Sequence, residues 1–173
     1  RPVESLAERS TALASVFGAE QQVQRHLDEL DAAIAEARAL TDPTTTGLIL
    51  LTSGGKLSAF GPGGRFGALI HDVVGVPPAS RDLVADTHGQ AVSFEFVAQV
   101  DPGVLFVVDR DSAIGQEGAS ARQVLDNPLV AGTTAWSTDR VTYLDGTNWY
   151  LLGSGLTTTR AMVDEIRKAL SGS

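Results

Sequence analysis

The chain has 173 residues and 43% hydrophobic content, enough for one globular domain with a substantial core. Lys and Arg number 13 against 21 Asp and Glu, and the formal charge of -8 opposes nucleic-acid backbones and anionic lipid surfaces. With no cysteine, disulfides, thiolate metal sites and a cysteine nucleophile are excluded as well.

Residues 3 to 40 read as two helices, Val3 to Phe17 and Ala19 to Leu40, broken at Gly18. Val23, Leu27, Leu30, Ile34 and Ala37 recur at steps of three and four, so one face of the second helix is apolar and covers a neighbour. Pro43 stops it, because the residue before a proline avoids helical geometry. Long helices ahead of the first strand read as a connector from a larger protein. No apolar run approaches the roughly 20 residues of a membrane span. The first residues carry no signal-peptide pattern, so any targeting segment is expected outside the chain.

From Thr46 onward short β-rich runs alternate with helical periods. Gly47 to Thr52 is a continuous apolar run suited to a strand buried on both faces, and Lys56 to Phe60 follows the turn Ser53-Gly54-Gly55. Gly64 to Val74 and Ser93 to Val100 read as helices, Val104 to Val108 as a buried strand, Ala119 to Leu125 as a helix and Val141 to Leu144 as a strand. A last amphipathic helix runs from Gly155 to Leu170 with Leu156, Met162, Val163, Ile166 and Leu170 on its stripe. The alternation predicts an α/β three-layer sandwich, a mainly parallel sheet with helices on both faces.

Four segments carry chemistry. Gly61-Pro62-Gly63-Gly64-Arg65-Phe66-Gly67 lies between a strand and a helix, where backbone N–H groups and helix polarity favour an anion and Arg65 adds directed donors; a tight turn with a solvated Arg65 is the alternative. It is neither a Walker loop nor a dinucleotide fingerprint. Thr87-His88-Gly89-Gln90 is a polar loop whose His88 suits a metal, an anion or a plain turn. Asp109-Arg110-Asp111 ends an apolar strand, where ligands of open α/β sheets collect, so Arg110 either meets an anion or pairs locally with an aspartate. Asn148-Trp149-Tyr150 is expected in a loop, with Tyr150 a hard oxygen donor suited to Fe(III) and Trp149 either lining a pocket or packed in the core. His26 and His71 lie on helical patterns as surface or packing residues, no histidine pair has zinc spacing, and no nucleophile–base signature marks an enzyme.

Taken in order, Gly63-Gly64-Arg65-Phe66-Gly67, Thr87-His88-Gly89-Gln90 with Val92-Ser93-Phe94-Glu95, Leu105 to Arg110, and Tyr143-Leu144-Asp145 leading to Trp149-Tyr150-Leu151 make the chain resemble the enterochelin-uptake type of ferric-siderophore-binding proteins of ABC importers. The likeness runs from about Gly47 to Leu170. It implies the C-terminal lobe of a two-lobe, chelatase-like binding protein, with residues 1–45 from the lobe-linking helical region and 46–173 forming the ligand-binding lobe.

Carried over by position, the resemblance implies that Arg65 and Arg110 face anionic catecholate oxygens and that His88, Tyr150 and Trp149 line the cleft. It implies too that His88 and Tyr150 complete the Fe(III) sphere when the siderophore leaves sites open, and that Glu95 docks to permease arginines. A Glu in the first turn of a helix capped by Ser93 also simply favours the helix dipole. The implied partners are a ferric siderophore, an ABC permease and the N-terminal lobe, with no nucleic acid, no intrinsic cofactor and no catalysis. The implied location is extracytoplasmic, periplasmic or lipid-anchored to the outer face of the cell membrane. Haem, corrinoid or hydroxamate binding on the same fold, a chelatase-like enzyme and a purely structural module are the competing readings. His88 beside Glu95 or Asp86 in one pocket would favour the enzyme.

Overall fold

A computed structural model describes residues 2–172. Its five strands are β1 (Gly47–Ser53), β2 (Lys56–Phe60), β3 (Gln90–Val92), β4 (Val104–Asp109) and β5 (Val141–Leu144), in the spatial order β3-β2-β1-β4-β5. β1 pairs in parallel with β4, and β4 with β5, whereas β2 is antiparallel to both β1 and β3. Four of the five strands therefore point the same way, and β2 is the reversal that a tight hairpin permits. That hairpin closes on Gly54 and Gly55, with φ of 55° and 74°, a left-handed pair that matches the twist of the strands it joins.

The helices are α1 (Pro2–Phe17), α2 (Glu20–Ala39), α3 (Phe94–Val100), α4 (Arg110–Ala113), α5 (Ala121–Leu125), α6 (Pro128–Ala131), α7 (Thr134–Ser137) and α8 (Leu156–Ser171). Two π-helical segments, Ala68–Val74 and Thr147–Leu152, complete the described elements. The sheet divides the core in two. Ile49, Leu51, Phe106 and Val108 meet α2, α8 and the π-helices on one face, and Leu48, Leu50, Leu105 and Val107 meet α3 and α5 to α7 on the other. β1 and β4 are thus buried on both faces, the condition their unbroken apolar runs require. Each fully buried Leu, Ile or Val there stabilises the fold by ~1.5–3 kcal/mol.

α2 buries Leu30, Ala33, Ile34 and Ala37 in the sheet's own core, so residues 20–39 form a layer of the sandwich. α1 is different. It tucks Ala14 against its neighbours but leaves Leu13, Val16 and Phe17 exposed, at 62%, 74% and 79%.

The sequence reading needs four corrections. Gly64–Val74 is a turn followed by a π-helix that starts only at Ala68. Ala119–Leu125 starts at Ala121, because Ser120 is its N-cap with a full capping box to Gln123. The 148–150 segment lies in the Thr147–Leu152 π-helix and not in a loop. β3 and the one-turn helices α4, α6 and α7 were not foreseen.

Candidate functional site

β1 and β4 end side by side, Thr52 opposite Asp109, so Ser53 and Arg110 emerge next to each other at the carboxyl edge of the sheet. Asp109 caps α4 by accepting from the Ser112 N–H at 3.0 Å, and this turns the chain sharply after the strand and presents Arg110. Arg110 Nε donates to Tyr150 Oη at 2.8 Å, and its Nη1 donates to Ser53 Oγ at 3.1 Å. The phenol oxygen beside it raises the guanidinium's pKa above its ordinary value.

Arg65 reaches Tyr150 from the other side. Its guanidinium carbon lies 4.8 Å from the centre of the Tyr150 ring, and its Nη2 donates to the Tyr150 carbonyl oxygen. The turn that carries it folds closely on itself: a Cβ at Gly67 would meet the Gly61 carbonyl oxygen at 1.9 Å. Gly67 thus serves the packing of the turn itself.

His88 comes from the loop before β3, where its backbone N–H donates to Asp86 Oδ1 at 2.6 Å. Gly89 next to it has φ of 76°, and a Cβ there would strike the Phe60 ring at 2.8 Å, so only glycine lets this loop lie down on the sheet edge. The His88 ring is exposed.

Arg65, His88, Arg110 and Tyr150 line one cavity of ≈ 220 Å³ together with Ser53 and Thr87, over an apolar wall of Leu51, Phe60 and Phe66. Two guanidinium groups, a phenol and an imidazole thus meet in a space with no carboxylate among its lining residues. Asp86 and Glu95 are both outside that lining. Such a set attracts an anion and offers one nitrogen and one oxygen donor to a metal carried by it. Among the described residues no group of three His, Asp or Glu side chains is arranged to hold a metal ion by itself.

Trp149 is corrected from a lining residue to a core residue. It is completely buried, and it packs edge-on against Phe66 at 6.2 Å between ring centres, with Phe66 in turn 4.6 Å from Phe60. The three rings form the support under the cavity. In a π-helix the extra residue per turn rotates Trp149 inward while Tyr150 stays half-exposed at the rim.

Glu95 is exposed in the first turn of α3, whose N-cap Ser93 accepts from the Phe96 N–H at 3.3 Å. The Ser93 hydroxyl and a backbone N–H hold the Glu95 carboxyl below its ordinary pKa, so it is a fixed surface anion. The sequence reading took Ser53 only as a turn residue and Asp111 only as an alternative local partner of Arg110. Asp111 is buried, and its Oδ2 accepts from the Gly54 N–H at 2.6 Å.

Comparison with known proteins adds the following. The family model described as periplasmic binding protein matches residues 1–147. The petrobactin-binding protein YclQ of Bacillus subtilis is 39% identical over 169 residues, which are 97% of this chain and 53% of YclQ. The crystal structure of YclQ superposes with a TM-score of 0.91 at 38% identity, covering 96% of this chain and 58% of that one. The ferric-anguibactin-binding protein FatB of Vibrio anguillarum is 32% identical over 157 residues, 90% of this chain and 48% of FatB. The periplasmic catecholate-siderophore-binding protein VctP of Vibrio cholerae gives a TM-score of 0.87 at 29% identity over 95% of this chain and 59% of VctP. The chain spans about half the length of the curated relatives it matches.

Proposed function

The chain belongs to the periplasmic binding protein family, and on that premise we propose that it is the C-terminal lobe of the substrate-binding component of an ABC-type iron–siderophore importer. In this reading residues 1–45 come from the lobe-linking region, with α2 shared with the core of the lobe, and 46–173 form the lobe itself. The other lobe closes the cleft, and the exposed Leu13, Val16 and Phe17 of α1 suit a helix that packs against further protein. The protein binds an anionic ferric siderophore of catecholate type outside the cytoplasm, in the periplasm or lipid-anchored to the outer face of the cell membrane, and delivers it to a permease.

The observation that carries the reading is the convergence of Arg65, His88, Arg110 and Tyr150, from four separate segments, on one cavity. A tris-catecholate ferric complex carries about three negative charges, and paired guanidinium groups neutralise such charge with directed hydrogen bonds. His88 and Tyr150 fill metal positions left open by a siderophore with fewer donors. The similar protein VctP is named for a catecholate siderophore and FatB for a ferric complex, which supports this ligand class. Glu95, exposed and ionised on α3, is the permease-docking carboxylate of this account.

A cleft built for binding also fits better than a chelatase site, which needs a carboxylate facing its histidine inside the cavity: the Asp86 carboxylate next to His88 accepts from the His88 backbone N–H and stays outside the lining. Equilibrium titration tests the reading, following quenching of tryptophan fluorescence. We expect the protein to bind ferric catecholates in preference to an uncharged ferric hydroxamate and to haem. Equal or better binding of haem or the hydroxamate would move the assignment to those ligands.

A further inference from the structure

We propose that Asp111 and Ser53 are positioning residues that fix the Arg110 guanidinium, so that Nε holds Tyr150 and Nη2 is left for the ligand. The idea rests on the reading of the cavity as an anion site and extends it to residues that do not themselves carry the charge recognised.

The geometry is a relay. Ser53 Oγ accepts from Arg110 Nη1 at 3.1 Å and donates to Asp111 Oδ1 at 3.3 Å, while Nη1 also lies 3.5 Å from that same carboxylate oxygen. The other oxygen, Oδ2, accepts from the Gly54 N–H at 2.6 Å and ties the β1–β2 turn to α4. Asp111 is 8% exposed, so this carboxylate interacts through little intervening water. A guanidinium has five N–H donors. Nε is committed to Tyr150 Oη, Nη1 to Ser53 and Asp111, and among the described residues Nη2 has no protein acceptor. The three partners come from the end of β1, from α4 and from the Thr147–Leu152 π-helix, so the fork has one orientation only while all of them are present.

Charge and position make opposite predictions here, which makes the proposal decidable. A buried carboxylate beside an anion site repels the ligand, so on electrostatics alone Asp111→Asn tightens binding. If Asp111 acts by positioning, Asp111→Asn weakens binding although it removes a negative charge.

The test has two arms. In the free chain, exchange of the Arg110 Nε–H is followed by nitrogen-resolved NMR; we expect it to quicken by about tenfold in Asp111→Ala and in Ser53→Ala. In the longer protein, affinity is measured for the ferric complex of a tetradentate bis-catecholate; Asp111→Asn and Ser53→Ala each lose about tenfold, and neither adds to the loss in Arg110→Gln. Tighter binding by Asp111→Asn, losses that add to Arg110→Gln, or unchanged Nε–H exchange each overturn the proposal. If the wild type binds no ferric catecholate, the siderophore reading falls and the exchange arm still decides the positioning role.

Discussion

Arg65 holds Tyr150 twice: its guanidinium stacks 4.8 Å from the ring centre and also donates to the Tyr150 backbone carbonyl, across 85 residues of sequence. One contact orients the ring, and the other pins the π-helix that bears it. The arrangement makes Arg65 part of the support of Tyr150 as well as a charge at the cavity.

A lysine keeps that charge but has neither the planar face nor the fork. Arg65→Lys and Arg65→Gln are both expected to weaken binding of an anionic ferric catecholate, by roughly tenfold and roughly a hundredfold. Affinity titration checks this, and wild-type affinity in Arg65→Lys would reduce Arg65 to a simple point charge.

The turn under Arg65 depends on Gly67, where an added methyl meets the Gly61 carbonyl oxygen at 1.9 Å. Gly67→Ala must open that turn, at a cost of about 2–4 kcal/mol in unfolding free energy. Denaturant melts give the value, and a loss below about 0.5 kcal/mol would mean that the turn yields freely.

Trp149 separates core from site. Trp149→Ala removes a completely buried ring and is expected to cost ~3–5 kcal/mol, whereas Trp149→Phe retains much of the packing against Phe66 and keeps ligand affinity within about threefold of wild type. Parallel melting and binding curves check the pair. A large affinity loss in a stably folded Trp149→Phe would return Trp149 to the ligand.

His71 gives a pH dependence. It is buried with Nδ1 2.7 Å from the Val76 carbonyl oxygen, and burial lowers its pKa from the ordinary 6.5, with the backbone bond and Asp72 opposing in part. The unfolded chain then takes up a proton before the folded one does, so this part of the stability is full above about pH 6.5 and is lost as pH falls below it. Unfolding free energy should rise between about pH 5 and pH 7, and His71→Gln should flatten that slope. An unchanged slope would assign the effect to other groups.

These outcomes depend on features that the sequence displayed unevenly. β1, β4, α2 and α8 were legible because each carries a long apolar signal, either a run buried on both faces or a stripe of period 3.6. β3 has three residues and no buried side chain, so no alternation marks it. α4, α6 and α7 have one turn each, too short for periodicity, and start at the caps Asp109, Asn127 and Thr133. The π-helix around Trp149 breaks the 3.6 period by one residue per turn, which made Thr147–Leu152 look irregular and left Trp149 readable either way.

The four cavity residues could be named from their segments because Gly-rich turns and strand ends announce themselves locally. Their support could not. Ser53 and Asp111 meet across 58 residues, and only the parallel pairing of β1 with β4 brings the hydroxyl to the carboxylate. Ser53 looked like a turn residue and Asp111 like a neighbour able to pair with Arg110. That pairing does occur, at 3.5 Å, alongside the place of Arg110 in the cavity, so the two alternatives for Arg110 hold together.

The central claim is that the cavity ligates ferric iron carried by an anionic siderophore. It is tested most directly by visible absorption spectra of the ferric complex of a tetradentate bis-catecholate, recorded with wild-type protein and with Tyr150→Phe and His88→Ala. The account predicts that wild-type protein shifts the charge-transfer band and that each variant loses part of the shift, Tyr150→Phe the phenolate contribution and His88→Ala the imidazole contribution. Identical spectra for the free complex, the wild type and both variants would contradict it.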